Sequence, residues 1–392
     1  MFELLFLLLP VAAAYGYYMG RNSYKDRRAS KKTEQAQSYL RGVDFLLNNN
    51  KEKAMDEFIA YLNSAHPTFE SSLALGNLFR QRGEVDRAIS LHTSLANDEN
   101  SEPYECELAQ IELACDFMSA GLMDRAEDIL LQLVEIPRQR RNASVLLVRL
   151  YDQTRDYEKA IETGLANRDV IGRNGLANLS QYYCELALRA MVDSRHRDAI
   201  KLLDDALEIW PQCIRARIIK ADILIKEQSG DFREKVLQLV SEIAETDSST
   251  GMFCLDLLTR CFEDKSDPAY RKALEDLARR TSSAAVMVEL CRYIEHQESL
   301  SQAEFMLLSQ IKERPNIKLF SYYMGMRSRL DSKEGENSET LMQLKSIVDA
   351  QIAIHSTYSC SSCGFESSMM FWQCPSCRHF DTMRPRHSID GD

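Results

Sequence analysis

The sequence predicts an all-α protein, built as a solenoid of helical hairpins with an N-terminal transmembrane helix and a small C-terminal metal-binding module. Three observations support this fold class. A pattern of large, small and aromatic residues returns every 34 residues or so; the chain opens on an apolar run followed by basic residues; and two C-x2-C pairs lie near its end. Glycine and proline are scarce, at 15 and 9 of 392 residues, which disfavours an all-β fold.

The first predicted element is a transmembrane helix over residues 1–20. Residues 2–19 are apolar except for Glu3, and as a helix they are long enough to cross a hydrocarbon core of about 30 Å. Tyrosines cluster at the end of the run, where an interfacial aromatic belt belongs. A cleaved signal peptide is the alternative, but its positive charge would come before the apolar run rather than after it.

A basic stretch at residues 21–34 follows the apolar run, and we interpret it as a cytoplasmic linker. By the positive-inside rule, the N-terminus then lies outside the membrane and the bulk of the chain in the cytoplasm. The basic residues are Arg21, Lys25, Arg27, Arg28, Lys31 and Lys32.

The repeat pattern is clearest in residues 73–92, LALGNLFRQRGEVDRAISLH. Gly76 and Phe79 fall on one face of a first helix, and Gly83 supplies the turn that ends it. Ala88 follows on the inner face of a second helix. Small residues at two facing positions let the helices approach closely, which is the pattern of a tetratricopeptide repeat.

Four further copies of this pattern occur at near-constant spacing. Ala54 and Ala88 are 34 positions apart, and so are Ala126 and Ala160. A single match would suit any pair of helices, whereas five predict a solenoid in which each hairpin buries its core against its neighbours. We therefore predict about nine hairpins over residues 35–350, the later ones degenerate. The four further copies comprise Gly42, Phe45, Ala54 and Phe58; Leu113, Ala114, Phe117, Gly121, Ala126 and Leu130; Leu147, Tyr151, Tyr157 and Ala160; and Leu186, Ala187, Ala199, Leu203, Ala206 and Pro211.

The composition bounds the environment and the partners. A formal net charge of −11 excludes a body built to coat nucleic acid. Seven of the eleven cysteines are scattered through helical sequence, where cysteine is usually a small buried hydrophobic residue in a reducing compartment. They are Cys106, Cys115, Cys184, Cys213, Cys254, Cys261 and Cys291.

The last predicted element is a metal-binding module over residues 351–392, containing YSCSSCGFESSMMFWQCPSCR. Its two C-x2-C pairs are Cys360 with Cys363 and Cys374 with Cys377, separated by ten residues. Four thiolates in a tetrahedron suit one Zn²⁺ or Fe ion. Two disulfides or free thiols are the alternatives, which paired spacing and a cytoplasmic location disfavour. We expect a small apolar core from Tyr358, Phe365, Phe371 and Trp372.

Catalysis finds no support in the sequence. It contains no P-loop, no dinucleotide-binding glycine motif, no H-E-x-x-H and no G-x-S-x-G. The seven histidines are spread along the chain, and four cysteines leave a tetrahedral ion no open position for a substrate. We therefore predict a protein that is not an enzyme, with no catalytic and no cofactor-binding residues beyond the metal ligands.

The whole arrangement closely resembles the lipopolysaccharide assembly protein B family of Gram-negative bacteria. The resemblance rests on the start MFELLFLLLPVAAAYGYYMGR, the repeat LGNLFRQRGEVDRAI and the rubredoxin-like tail CxxCGF…WxCPSC, and it covers the entire chain in order. It implies that Cys360, Cys363, Cys374 and Cys377 are the metal ligands. Arg378 stands where rubredoxins usually have glycine, which weakens an electron-transfer role and leaves a structural one intact.

The resemblance also implies a function. It implies a non-enzymatic inner-membrane protein that faces the cytoplasm and promotes degradation of the lipid A pathway deacetylase, LpxC, by the membrane protease FtsH. It further implies links to the inner-membrane proteins of lipopolysaccharide regulation and export, and it allows a homo-oligomer. The alternative is a redox protein that uses an Fe(Cys)4 centre on a repeat scaffold.

Overall fold

The computed structural model of the chain describes residues 15, 17, 19, 40–45, 47, 48, 50–64, 68–334, 339–354 and 357–386. These residues form helices almost throughout and end in a three-stranded sheet. They divide into two compact units, Met1–Asp156 and Tyr157–Asp392. The predicted helical repeats and the small C-terminal module are therefore confirmed.

Within the described residues from Lys51 to Thr154, the first unit has six helices, each packed against the next along the chain. The second, fourth and sixth helices also contact one another in succession, so the first helices of successive hairpins form one layer. Residues 40–45 are helical as well. The six helices are α1 (Lys51–Ser64), α2 (Phe69–Gln81), α3 (Val85–Ala96), α4 (Pro103–Ser119), α5 (Met123–Val134) and α6 (Arg140–Thr154).

The close approach of α2 and α3 depends on a glycine. A Cβ placed on Gly76 would lie 2.3 Å from Nε2 of His92, so no larger residue fits without moving the ring. Phe79 and Ala88 are buried beside this contact. Gly83 ends the first helix with a φ of +85°, a left-handed conformation that glycine adopts at no steric cost. The hairpin geometry predicted from these positions is thus present.

A buried ionic network joins α2, α3 and α4. Nδ1 of His92 lies 2.6 Å from Oδ2 of Asp116, and both side chains are fully buried. Arg80 donates to Asp116 at 2.7 Å and to Glu112 at 2.6 Å. Burial acts to lower the pKa of Arg80, but the hydrogen bonds to these carboxylates outweigh it, so the pKa is raised. The network fixes the register of two successive hairpins.

The described part of the second unit has eleven α-helices, again each packed on the next. Here α8, α10, α12, α14 and α16 contact one another in succession and form the layer of first helices. The bounds are α7 (Tyr157–Ala166), α8 (Arg168–Val192), α9 (His196–Ile209), α10 (Ile214–Glu227), α11 (Phe232–Thr246), α12 (Gly251–Cys261), α13 (Pro268–Arg280), α14 (Ala284–Gln297), α15 (Leu300–Glu313), α16 (Ile317–Glu334) and α17 (Glu339–Ile354).

The same neighbour pattern continues beyond Pro211, where the sequence signature blurs. Val236 stands on α11 where the repeat pattern expects alanine, and it is fully buried. The hairpin therefore accommodates a larger residue at the contact. This explains why the alanine-based signature fades while the architecture persists.

The predicted fold class is wrong in one part, the N-terminal transmembrane helix. No helix within the described ranges is long and apolar enough to cross a membrane. The longest, α8, has 25 residues, but it carries charged side chains along its length and is interrupted at Gly172. Residues 1–20 lie largely outside the described residues, and the basic linker at 21–34 lies outside them entirely.

The C-terminal sheet is small and antiparallel. Its strands are β1 (Tyr358–Cys360), β2 (Glu366–Ser367) and β3 (Met383–Pro385), in the order β2-β1-β3. Tyr358 pairs with Ser367 on one side, and Cys360 pairs with Met383 on the other. This register places the first cysteine pair at the end of the central strand.

Candidate metal centre

The two C-x2-C pairs meet at one point. Sγ of Cys360 lies 3.7 Å from Sγ of Cys377, and Sγ of Cys363 lies 3.7 Å from Sγ of Cys374. All four sulfurs lie within 4.8 Å of one another. Metal–sulfur bonds of about 2.3 Å in a regular tetrahedron separate the sulfurs by about 3.8 Å, so the donor set fits one tetrahedral ion.

The two pairs adopt the same backbone turn. The N–H of Gly364 donates to the carbonyl of Cys360 at 2.9 Å, and the N–H of Arg378 donates to that of Cys374 at 2.9 Å. Both donors have a left-handed backbone, with φ of 75° at Gly364 and 58° at Arg378. The residue after each pair therefore needs a conformation that glycine adopts freely and arginine only at a cost.

Hydrogen bonds within the first turn favour a thiolate. Burial acts to raise the pKa of Cys360, but the hydroxyl of Thr382 and the backbone N–H groups of Cys363 and Ser362 together lower it to about 6. The Thr382 oxygen lies 3.3 Å from the Cys360 sulfur. Hydrogen-bond donors directed at the sulfur stabilise the thiolate, which is the form of cysteine that binds a metal.

The first cysteine of the second turn, Cys374, is more deeply buried than Cys360. Burial raises the pKa of the Cys374 thiol to about 11, although the backbone N–H groups of Cys377 and Ser376 act in the opposite direction. A thiolate at this buried position requires a nearby cation. The N–H of Cys374 donates to the carbonyl of His379 at 3.0 Å, so His379 contributes its backbone to the module.

Some aromatic residues of the module form its own core, and one packs on the repeat helices. Tyr358 is buried in the small core beside Met383, and Phe365 and Phe371 pack against that core. Trp372 instead packs against the hydrophobic core of the repeat helices. The predicted apolar core is therefore present for three of the four aromatic residues, while the fourth joins the module to the solenoid.

Phe253 on α12 is the centre of that junction. Its ring lies 6.2 Å from the ring of Tyr358 and 6.0 Å from that of Trp372, measured between centroids. The guanidinium of Arg215 on α10 lies 5.8 Å from the Trp372 ring centroid. Aromatic and cation–π contacts of this kind add to the area that the junction buries.

A second set of contacts extends the junction on either side. The ring of Phe380 meets that of Tyr182 on α8 edge to face at 5.8 Å. Arg384 on β3 pairs with Asp247, which caps a short 3-10 helix before α12, at 3.1 Å. The module therefore packs on α8, α10 and α12, which belong to the layer of first helices.

The structure thus brings the four predicted ligands together, and within the described residues they are the one group of metal-ligating side chains that it reveals. The junction residues were not predicted. In the sequence, Phe253 and Tyr182 cannot be told apart from other residues of the repeat helices. An apolar side chain on such a helix gives the same pattern whether it packs on a neighbouring helix or on a docked module.

Comparisons with known proteins agree with both parts. A family model described as a rubredoxin metal binding domain matches residues 358–385, and a tetratricopeptide repeat model matches residues 71–103. Lipopolysaccharide assembly protein B of Haemophilus influenzae is 32% identical over 394 residues, covering 98% of each chain. The protein of the same name in Escherichia coli K12 is 34% identical over 396 residues, covering 100% of each.

Comparison with solved structures gives only weak matches. The complex of Naa15 and Naa10 with HypK-THB matches at 17% identity and a TM-score of 0.37, covering 80% of this chain and 53% of that one. Such a score carries no argument about function. The four-sulfur geometry and the matched domain together establish a site for one metal ion bound by four cysteines.

Proposed function

Since this chain belongs to the lipopolysaccharide assembly protein B family, we propose that it is a non-enzymatic adaptor in lipopolysaccharide assembly. One observation carries the proposal: curated family members match at 32% and 34% identity over essentially their full length, so both the repeats and the metal module are included. Tetratricopeptide hairpins offer extended surfaces for protein partners. The role of an adaptor is to hold proteins near one another.

The partners follow from the family resemblance. The chain promotes degradation of the lipid A pathway deacetylase by FtsH, and it works with the inner-membrane proteins of lipopolysaccharide regulation and export. It does so by raising the effective concentration of the deacetylase at the protease. Its site of action is the cytoplasmic face of the inner membrane, where the reducing conditions suit a chain whose cysteines form no disulfide.

The metal module serves the adaptor as a structural part. The two C-x2-C turns would hold a Zn²⁺ or Fe ion, which would cross-link them when bound. Cys360 and Cys374 would bind it from buried positions, and four cysteine ligands would leave no position for a substrate. Trp372 connects the module to the repeat helices by packing on Phe253. We infer that the ion maintains a docking surface composed of module and repeats together.

The test is the half-life of the deacetylase after translation is blocked. We compare wild-type cells, a deletion strain, and strains that carry Phe253→Ala or the control Phe305→Ala. Phe253 contacts the module, whereas Phe305 on α15 is 76% exposed, so the two variants lose the same side chain from different settings. We expect a long half-life in the deletion strain, a lengthened one in Phe253→Ala, and the wild-type value in Phe305→Ala.

An equal half-life in wild-type and deletion strains would remove the adaptor proposal. Attention would then return to the alternative, electron transfer through an Fe(Cys)4 centre. Visible absorption of the purified chain separates the two metals, because ferric thiolate absorbs in the visible and Zn²⁺ does not. A reversible redox couple, together with unchanged deacetylase turnover, would favour the alternative.

A further inference from the structure

Two cysteines outside the metal centre form a close pair in the core of the second unit. Sγ of Cys184 lies 3.9 Å from Sγ of Cys213, and both side chains are 0% exposed. Cys184 lies within α8, and Cys213 is the residue that caps the start of α10. They belong to one hydrophobic cluster that joins α8, α9 and α10. A bond between them would tie two successive hairpins together.

The surroundings of Cys213 favour its thiolate. Nε2 of Gln181 approaches the sulfur at 3.5 Å. Hydrogen bonds from Cys184 and from the backbone N–H of Ala216 lower the pKa of Cys213 to about 7, although burial acts against them. The sulfur also sits at a helix N-terminus, a position that stabilises negative charge. Cys213 is therefore the member of the pair suited to attack an oxidant.

Three other cysteines of the repeats, of which Cys254 and Cys291 are buried and Cys115 is half-buried, lack this environment. Burial raises the pKa of Cys115 to about 11, and it raises the pKa of Cys254 and of Cys291 to about 12. Their thiols stay protonated and are poor nucleophiles. Reactivity toward an oxidant is thus expected at one pair of repeat cysteines rather than at buried cysteines in general.

The pair has a second feature that suits oxidation. The pKa of Cys184 is raised, chiefly by its hydrogen bond to Cys213 and by burial, so this thiol keeps its proton while Cys213 reacts. The charge of Arg215 acts on Cys184 in the opposite direction. Two N–H groups of Arg215 and the side-chain oxygen of Gln181 are buried without a hydrogen-bond partner among the described residues. The amide of Gln181 lies against the Cys213 sulfur, and its unpartnered oxygen is therefore available to accept a hydrogen bond from the hydroxyl of a sulfenic acid there.

We propose that Cys184 and Cys213 are an oxidative modification site, at which hydrogen peroxide converts the thiol pair into a reversible disulfide. The Cys213 thiolate attacks one peroxide oxygen; the O–O bond breaks, hydroxide leaves, and a sulfenic acid forms on Cys213. The sulfur of Cys184 then attacks the Cys213 sulfur, a proton passes to the departing oxygen, and water leaves. The pair loses two electrons and two protons, and the peroxide becomes two waters.

The cross-link requires only local movement. The two sulfurs must approach from 3.9 Å to about 2.05 Å, the length of a disulfide bond. Cys213 lies at the end of a short connection between α9 and α10, where the backbone is not held by a helix on its N-terminal side. Oxidation would then fasten α8 to the start of α10, which are two of the helices on which the metal module packs.

The test uses the full-length, metal-loaded chain treated with hydrogen peroxide. Remaining thiols are alkylated under denaturing conditions, and the unreduced peptides are identified by mass spectrometry. We expect one linked peptide pair containing Cys184 and Cys213, reversed by dithiothreitol, with Cys254 and Cys291 recovered alkylated. Cys213 should be consumed at least roughly tenfold faster than Cys254, because its thiolate fraction is larger. Recovery of both cysteines as alkylated thiols would overturn the proposal.

A pair of variants tests the order of the steps. In Cys184→Ser the second step is blocked, so Cys213 should accumulate as a sulfenic acid that dimedone labels. The control Cys291→Ser removes a buried cysteine elsewhere and should still form the cross-link. A Cys184→Ser chain that gives no dimedone adduct on Cys213 would contradict its role as the attacking thiol. The peptide map of the wild-type chain already decides whether the disulfide forms. The proposal can therefore be refuted even if a variant fails to fold.

Discussion

Gly76→Ala should destabilise the first unit, although the same change stabilises most helices. Alanine in place of glycine within a helix gains about 0.5–1 kcal/mol from backbone entropy. At this position the new Cβ would lie 2.3 Å from Nε2 of His92 and 2.6 Å from Cε1. The His92 ring is fully buried and is held by Asp116 on one side and by the carbonyl of Leu73, 3.2 Å away, on the other.

The magnitude follows from these contacts. Overpacking a well-filled core costs about 1–3 kcal/mol. A ring displaced from Asp116 also loses a hydrogen bond to a charged group, worth about 1.5–3 kcal/mol. After the helix gain is subtracted, we expect a net loss of about 1.5–5.5 kcal/mol from the free energy of unfolding. The effect should be concentrated in α2, α3 and α4, because repeats are stabilised by their nearest neighbours.

The assay is amide hydrogen exchange of these helices together with urea denaturation of the whole chain. Gly325→Ala is the matched control: it is also a helical glycine, but its Cβ would meet only the flexible end of Lys345, at 3.1 Å. We expect faster exchange in α2 to α4 for Gly76→Ala, and unchanged or slower exchange in α16 for Gly325→Ala. Wild-type exchange in Gly76→Ala would show that the His92 ring moves at little cost and would refute the argument.

Two further predictions concern the metal module. Cys374→Ser should abolish stoichiometric metal binding and make the tail sensitive to protease, because a module this small has little core besides its metal site. The circular dichroism signal of the helices should persist. Unchanged metal content and protease resistance would refute the structural role of the ion. Arg378→Gly should stabilise the module by about 1 kcal/mol, because it relieves a left-handed backbone at φ 58°. We expect Arg378→Gly to lose its metal to a chelator more slowly than wild type, and Gly364→Ala to lose it faster. Faster loss in Arg378→Gly would instead show that the arginine side chain stabilises the module by more than its left-handed backbone destabilises it.

The repeats and the metal ligands could be predicted because each depends on local spacing. Gly76 faces His92 across a hairpin, so the short separation of these residues along the chain fixes their separation in space. The C-x2-C spacing likewise brings two sulfurs to one ion without reference to the rest of the fold. Such features can be recognised in a sequence because a short stretch of chain determines them.

Other features depend on contacts between distant parts of the chain and could not be predicted. Trp372 was assigned to the core of the module, yet it packs on Phe253, 119 positions earlier. The proximity of Cys184 and Cys213 depends on how one hairpin stacks on the next. The transmembrane helix was predicted from the hydropathy and length of residues 2–19 and from the tyrosines and basic residues beside them, and the described helices do not bear that prediction out.

The docked module has a consequence for how the chain is synthesised. Helical hairpins form from contacts close in sequence, so they can fold while the ribosome is still adding residues. Phe380 contacts Tyr182, which emerges 198 residues earlier, and that contact closes only after those further residues are made. Until then α8, α10 and α12 leave the ribosome with an apolar face uncovered. Metal loading would therefore follow the folding of these repeats, and a cell short of the ion would accumulate chains whose aromatic face is open to chaperones and proteases.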